Sequence, residues 1–321
     1  MVTRVALALG SGGARGYAHL GAVRALRERD CELVAVAGTS MGALVGGLAA
    51  AGRAEDFAQW ATALTRRDVL WLLDPSIASR GMITADRLID ALADIITDQA
   101  IEDLAVPFTA VATDLAARRE VWFQHGPLRA ALRASIAIPG VFTPAMLNGR
   151  LLVDGGLTNP VPVEPTAAVP SDLTVAVELT GPRRVREPDT PRRDSAAPQR
   201  LEEWRERWRR TLATLTGREE QNVADAEVDQ LAGPGPGTGW GTERLPADLG
   251  LLDLTAQSFE VMQALVGRYR MAALPADVLV TVPVDACGTM DFHRAAEMID
   301  LGHRLTGEAL DAAGVVVRRG V

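Results

Sequence analysis

The first fifty residues constrain this chain most, because two short apolar runs are each cut off by glycines and each followed by a helical pattern. Val5-Ala6-Leu7-Ala8-Leu9 stops at Gly10-Ser11-Gly12-Gly13-Ala14-Arg15-Gly16, and residues 17–29 then set Leu20, Val23 and Leu26 on one helical face. A second run over 33–37 stops at Gly38-Thr39-Ser40-Met41-Gly42, before a helix over 43–51. Continuous apolar runs of this length predict strands covered on both faces, and a helix between two of them is a right-handed crossover. The expected class is therefore α/β, with a mainly parallel central sheet.

Further along, the spacing of Leu88, Ile89, Leu92 and Ile95 predicts a helix capped by Thr84. Strands are expected over 106–113 and 120–124, a helix over 128–135, a strand over 151–153 that ends at Asp154, and another over 173–179. The sheet is expected to be finished by about residue 180. Residues 181–200 crowd prolines, arginines and acids, which predicts an exposed linker; 201–216 form a helical pattern and Gly233 to Gly239 a glycine-proline loop. A helix over 249–271 then returns to a strand over 278–282. The simplest organisation is one domain over 1–321, with a core at about 4–180, an irregular insertion or lid at about 181–247, and C-terminal helices and strand over 248–321.

Composition removes several chemistries. No lysine occurs, so all 33 basic residues are arginine, and a Schiff-base lysine, a Ser-Lys dyad and a Walker lysine are excluded. A net charge of -8 disfavours nucleic acid as a partner. The two cysteines, Cys31 and Cys287, lie far apart and no secretory segment precedes them, so reduced thiols and a cytoplasmic location are expected. No His, Cys or carboxylate cluster has zinc spacing, and neither metal nor cofactor is expected.

Three motifs carry the chemistry. Gly38-Thr39-Ser40-Met41-Gly42 fits the G-x-S-x-G nucleophile elbow, in the strand-turn-helix context that projects a serine hydroxyl from a sheet. The glycine loop at 10–16 gathers backbone N–H groups that suit an anion. A dinucleotide fits it poorly, because the third glycine of G-x-G-x-x-G would fall on Arg15 and no acid ends the second strand. An oxyanion hole built on Gly12 and Gly13, with Arg15 bracing the loop or adding positive potential, fits better. Asp154-Gly155-Gly156 closes a strand and supplies the base that Ser40 lacks.

Together with Ala134-Ser135-Ile136-Ala137-Ile138-Pro139-Gly140-Val141-Phe142 and Asp154-Gly155-Gly156-Leu157-Thr158-Asn159-Pro160-Val161-Pro162, these motifs resemble the patatin-like phospholipases, and among them the bacterial single-domain members. The resemblance runs over about 4–180. It implies a three-layer α/β/α fold and a serine acyl-ester hydrolase of the phospholipase A type. It further implies a Ser40–Asp154 dyad without histidine, an oxyanion hole of Gly12, Gly13 and Arg15, elbow and motif support from Gly38, Gly42, Gly155 and Gly156, and a lipid or other acyl ester as substrate. One departure is Ser11, where the family loop usually has a glycine.

Other readings remain beside this one. A conventional Ser-Asp-His enzyme would take His293 or His303 as its base, and a non-catalytic lipid-binding protein would keep the scaffold. His19 is expected to pack or support, Ser135 to line an acyl pocket or bond to backbone, Asn159 to tie down the Asp154 loop, and Asp114 to be a solvated strand-end carboxylate. Leu201, Trp204, Trp208, Leu212 and Leu215 make an apolar stripe that either packs on the body or gives peripheral contact with a membrane. No oligomeric state is implied.

Overall fold

A computed structural model describes residues 2–72, 85–96, 98–183 and 251–315. The Thr84 cap, the 201–216 stripe, the Gly233–Gly239 loop and nearly all of the expected insertion lie outside the described residues.

Among the described residues the strands are β1 (Thr3–Leu9), β2 (Cys31–Thr39), β3 (Phe108–Asp114), β4 (Arg119–Phe123), β5 (Ala145–Leu147), β6 (Arg150–Asp154), β7 (Leu173–Gly181) and β8 (Val278–Pro283). Hydrogen-bonded neighbours run β5-β6-β3-β2-β1-β7-β8, and β4 also pairs with β3. The five from β3 to β8 are mutually parallel, whereas β4 and β6 run antiparallel to β3. The sheet is thus mainly parallel, and it does not end near residue 180. Residues 278–283 join it as an edge strand on β7, because the last parallel strand still had one ladder of backbone groups to pair.

The helices are α1 (Ala18–Arg27), α2 (Met41–Ala50), α3 (Ala54–Ala63), α4 (Arg66–Leu72), α5 (Asp86–Ala91), α6 (Leu128–Ser135), α7 (Leu251–Ala273) and α8 (Ala295–Ala312). Side chains alternate across a strand, so β1 sends Val5, Leu7 and Leu9 to one face and Ala8 to the other, and β7 divides Val175, Val177 and Leu179 from Ala176 in the same way. The first face carries the main core, with Leu20, Leu26, Leu44, Leu48, Met298 and Ile299 from α1, α2 and α8 above it. Burial of each such side chain stabilises by roughly 1.5–3 kcal/mol. Met271 and Leu274 from α7 and its following turn, with Val161 and Val163, cover the small residues of the second face. Helices on both faces of one sheet give three layers. Among the described residues no helix is long and apolar enough to cross a membrane.

Candidate active site

The register of β3 explains where Ser40 and Asp154 meet. Ala110 and Val111 pair with Gly38 and Thr39 of β2 as well as with Phe123 and Trp122 of β4. Ala112 pairs with Val121 of β4 and with Asp154 of β6. Since a strand has two edges and β4 occupies one of them throughout, β2 and β6 share the other. Their C-terminal ends face each other there: Thr39 lies opposite Val111, Asp154 opposite the next residue, Ala112. The serine after Thr39 and the aspartate that ends β6 therefore come together at one break in a single edge.

Ser40 takes a left-handed backbone, φ 60° and ψ -125°, which costs a non-glycine residue on the order of 1–3 kcal/mol and is sustained by what surrounds it. Its C=O accepts the N–H groups of Ala43 and Leu44 as α2 begins, so the helix N-terminus faces the serine. Gly42 is required by close approach: a Cβ there would strike the carbonyls of Leu9 and Gly10 where β1 ends. Gly38 and Gly155 likewise press on backbone, Gly38 on Gly42 and Gly155 on the Val111 carbonyl.

The break in the β3 edge is bridged by a hydroxyl. Ser135, at the end of α6 and wholly buried, donates its Oγ–H to the Val111 carbonyl at 2.6 Å and accepts the Ser40 N–H at 2.9 Å. It bonds to backbone, one of the two expected roles, and the backbone it holds is that of the candidate nucleophile. Asn159 ties down the Asp154 loop, as expected. Its N–H bonds to Gly155, its carbonyl accepts from the Thr39 hydroxyl at 2.7 Å, and its Nδ2 donates to Glu120 at 2.8 Å.

Asp154 is fully buried. Oδ1 accepts the Gly156 N–H at 2.7 Å, while Oδ2, equally shut off from solvent, has no hydrogen-bond partner in good geometry. The Ser40 hydroxyl is close enough to act on the carboxyl as a donor. Burial pushes the Asp154 pKa from its ordinary 3.8 up to about 6, against the opposing pulls of the Ser40 hydroxyl and the Gly156 N–H.

The glycine loop lies beside them. Gly10, Ser11 and Ala14 donate their N–H groups to Val177, Pro160 and Thr289. Among the described residues no acceptor meets the N–H groups of Gly12 and Gly13. Gly13 sits at φ 57°, with the Thr289 carbonyl filling the place of a side chain. Arg15 is buried, and its guanidinium donates to the Val284 carbonyl at 2.9 Å, the Cys287 carbonyl at 3.4 Å and Glu260 of α7 at 2.6 Å. His19 donates Nε2–H to the Gly10 carbonyl at 2.8 Å; burial depresses its pKa to about 4, so the ring is neutral and fixes the loop.

His303 pairs with Glu28, the residue after α1. His293 is part of a 3-10 turn, Phe292–Arg294. Among the described residues neither histidine bonds to Ser40 or Asp154. Asp114 corrects an expectation: it is 5% exposed and caps a turn by accepting the Ala117 N–H, since the antiparallel strands beside it exclude solvent.

Next to Ser40 in the chain, Met41 lines a partly open apolar cleft together with Tyr17, Leu44, Phe57, Trp60 and Phe292 among others. Tyr17 packs edge-on to Phe292, and Phe57 stacks on Trp60, so the walls are rigid aromatic rings. The sequence reading did not assign this cleft, nor Glu260, Gln263 and Arg270 of α7. Gln263 donates to the Ser11 hydroxyl at 3.2 Å and lies against Gly156. Arg270 bonds to the Thr158 carbonyl, Glu120 and Glu164.

The patatin-like phospholipase family model matches residues 7–167. An uncharacterized NTE family protein of Mycobacterium tuberculosis is 45% identical over 337 residues, covering 96% of this chain and 92% of its own. Rat patatin-like phospholipase domain-containing protein 7 is 32% identical over 182 residues, which are 54% of this chain and 13% of that protein. The solved structure of VipD from Legionella pneumophila aligns with a TM-score of 0.45 at 14% identity, over 97% of this chain and 67% of that one. The chain belongs to the patatin-like phospholipase family.

Proposed function

We propose that the protein is a serine acyl-ester hydrolase acting on lipid esters through Ser40 and Asp154. One observation carries this reading: β2 and β6 end against each other on one edge of β3, so that a strained serine meets a buried carboxylate whose second oxygen is unpartnered. Family membership supports a lipid acyl hydrolase in general; the dyad is our reading of the geometry.

The ester carbonyl carbon is attacked by Ser40 Oγ as its proton passes to Asp154 Oδ2. The negative charge that develops on the carbonyl oxygen is met by the Gly12 and Gly13 N–H groups, with Arg15 holding their loop. Collapse of the intermediate breaks the bond to the alcohol, which leaves with the proton from Asp154. Water then attacks the acyl-Ser40 carbonyl, giving a proton to Asp154 and returning the hydroxyl to Ser40 as the fatty acid departs. A base pKa near 6 suits this traffic, since the same group must accept and return a proton near neutral pH. The aromatic cleft beside Met41 suits an acyl chain better than a polar acid.

A fluorophosphonate probe and a p-nitrophenyl ester series test the reading. Labelling at Ser40 and faster turnover of longer acyl chains are expected; a chain that neither labels nor turns over would be a lipid-binding scaffold instead.

A further inference from the structure

Gly12 and Gly13 are glycines, and side chains elsewhere must fix where their N–H groups point. Three segments meet to do so: the loop 10–16, helix α7 and the stretch 284–289 after β8. Their common point is the Glu260 carboxylate. Its Oε1 accepts from Arg15 Nη2 at 2.6 Å and from the Thr289 hydroxyl at 2.9 Å. Arg15 is two residues past Gly13, and it is 3% exposed. Thr289 in turn accepts the Ala14 N–H at 2.9 Å and stands where a Gly13 side chain would be. One turn further along α7, Gln263 donates to Ser11, just before Gly12. Glu260 and Gln263 both lie beyond residue 167, where the family match ends.

We propose that Glu260 is a positioning residue for the oxyanion loop: through Arg15 and Thr289 its carboxylate fixes the N–H groups of Gly12 and Gly13. The proposal rests on the hydrolase reading above. A buried guanidinium without its counter-charge seeks another partner, and the loop that carries it moves with it. Donors misplaced by about 1 Å cost on the order of 100-fold in rate, because they act on the charge of the transition state more than on the bound ester.

The test compares the full chain with Glu260→Ala, Glu260→Gln, Thr289→Val, Arg15→Met and the Arg15→Met/Glu260→Ala pair. The readouts are kcat and KM on p-nitrophenyl butyrate, the rate of fluorophosphonate labelling, and Tm. Glu260→Ala is expected to lower kcat and labelling together by about 30–100-fold with KM within about threefold. Glu260→Gln, which keeps an acceptor oxygen, should lose only about 3–10-fold, and Thr289→Val about the same. The double variant should be no slower than the slower single one, because both remove the same support. Glu308→Ala, which breaks an exposed pair with Arg304 on α8, serves as the unaffected control.

Wild-type kcat in folded Glu260→Ala overturns the proposal, as do losses that multiply in the double variant or a fall in kcat/KM carried by KM. If the alanine variant does not fold, unchanged kcat in both Glu260→Gln and Thr289→Val overturns it equally. A wild-type chain that neither labels nor hydrolyses overturns the hydrolase reading and this inference with it, a result distinct from an active enzyme indifferent to Glu260.

Discussion

The sheet face beneath α1, α2 and α8 is built from Leu7, Leu9, Val36 and Val177 with Leu26, Leu44 and Leu48 above them, whereas the face beneath α7 offers Ala8 and Ala176. On that second face much of the holding is polar: Glu260 to Arg15, Gln263 to Ser11, Arg270 to Thr158 and Glu120. Burial is large and non-directional, while each hydrogen bond contributes only about 0.5–1.5 kcal/mol but fixes a geometry. The first face therefore supplies stability, and the second supplies placement of the glycine loop and the Asp154 loop.

The comparison breaks most visibly at the reacting groups themselves. Ser40→Ala should abolish labelling, and Asp154→Asn should cut turnover by more than about 10³-fold. Asp154→Asn should at the same time stabilise the fold above pH 6 by on the order of 2–3 kcal/mol, read by urea unfolding, because a buried charge is removed. A loss of stability in that variant would mean that the carboxylate holds the fold together. Next in size, Leu48→Ala on the apolar face should cost about 2–5 kcal/mol while kcat per folded molecule stays within about twofold.

Ser135→Ala sits between the two behaviours. It strips the Ser40 N–H of its acceptor and should cost about 1–3 kcal/mol together with about tenfold in kcat. Stopped-flow acylation would tell a displaced nucleophile from a merely weaker fold.

The smallest effects are in pH. The kcat/KM should climb to a plateau above about pH 6, where Asp154 is ionised. For stability, the raised Asp154 pKa means that the folded state holds a proton the unfolded chain has released. This contribution is complete below about 3.8 and is lost as pH rises through about 6. His19 has the opposite sign: its folded pKa of about 4 lies below the ordinary 6.5, so stability present above 6.5 is lost as pH falls toward 4. The two offset each other between about 4 and 6. Asp154→Asn removes one of them, and its Tm should fall more steeply than that of the wild type as pH is lowered through that interval.

Much of this layout is legible before folding. Apolar runs ended by glycines mark β1 and β2, and α6 spans Leu128–Ser135 as its pattern predicts. The β5–β6 hairpin is also legible, in Asn148-Gly149, both at positive φ, a strong two-residue turn signal. Helix α8 has its own mark, the helical spacing of Ala295, Met298, Ile299, Gly302 and Thr306. Glu260 carries no such mark. Its partner Arg15 stands 245 positions away, and neither periodicity nor composition specifies a pairing that only the return of α7 across the sheet creates.

Ser40 and Asp154 are seated on the same rail, the edge of β3 that β2 and β6 share, whereas the glycine loop belongs to β1, beyond β2. When the sheet breathes, twisting one strand against its neighbour, the two groups that exchange a proton ride together. The separation that fluctuates is the one between the rail and the N–H groups at 12 and 13, so thermal motion should blur charge stabilisation sooner than it interrupts proton transfer.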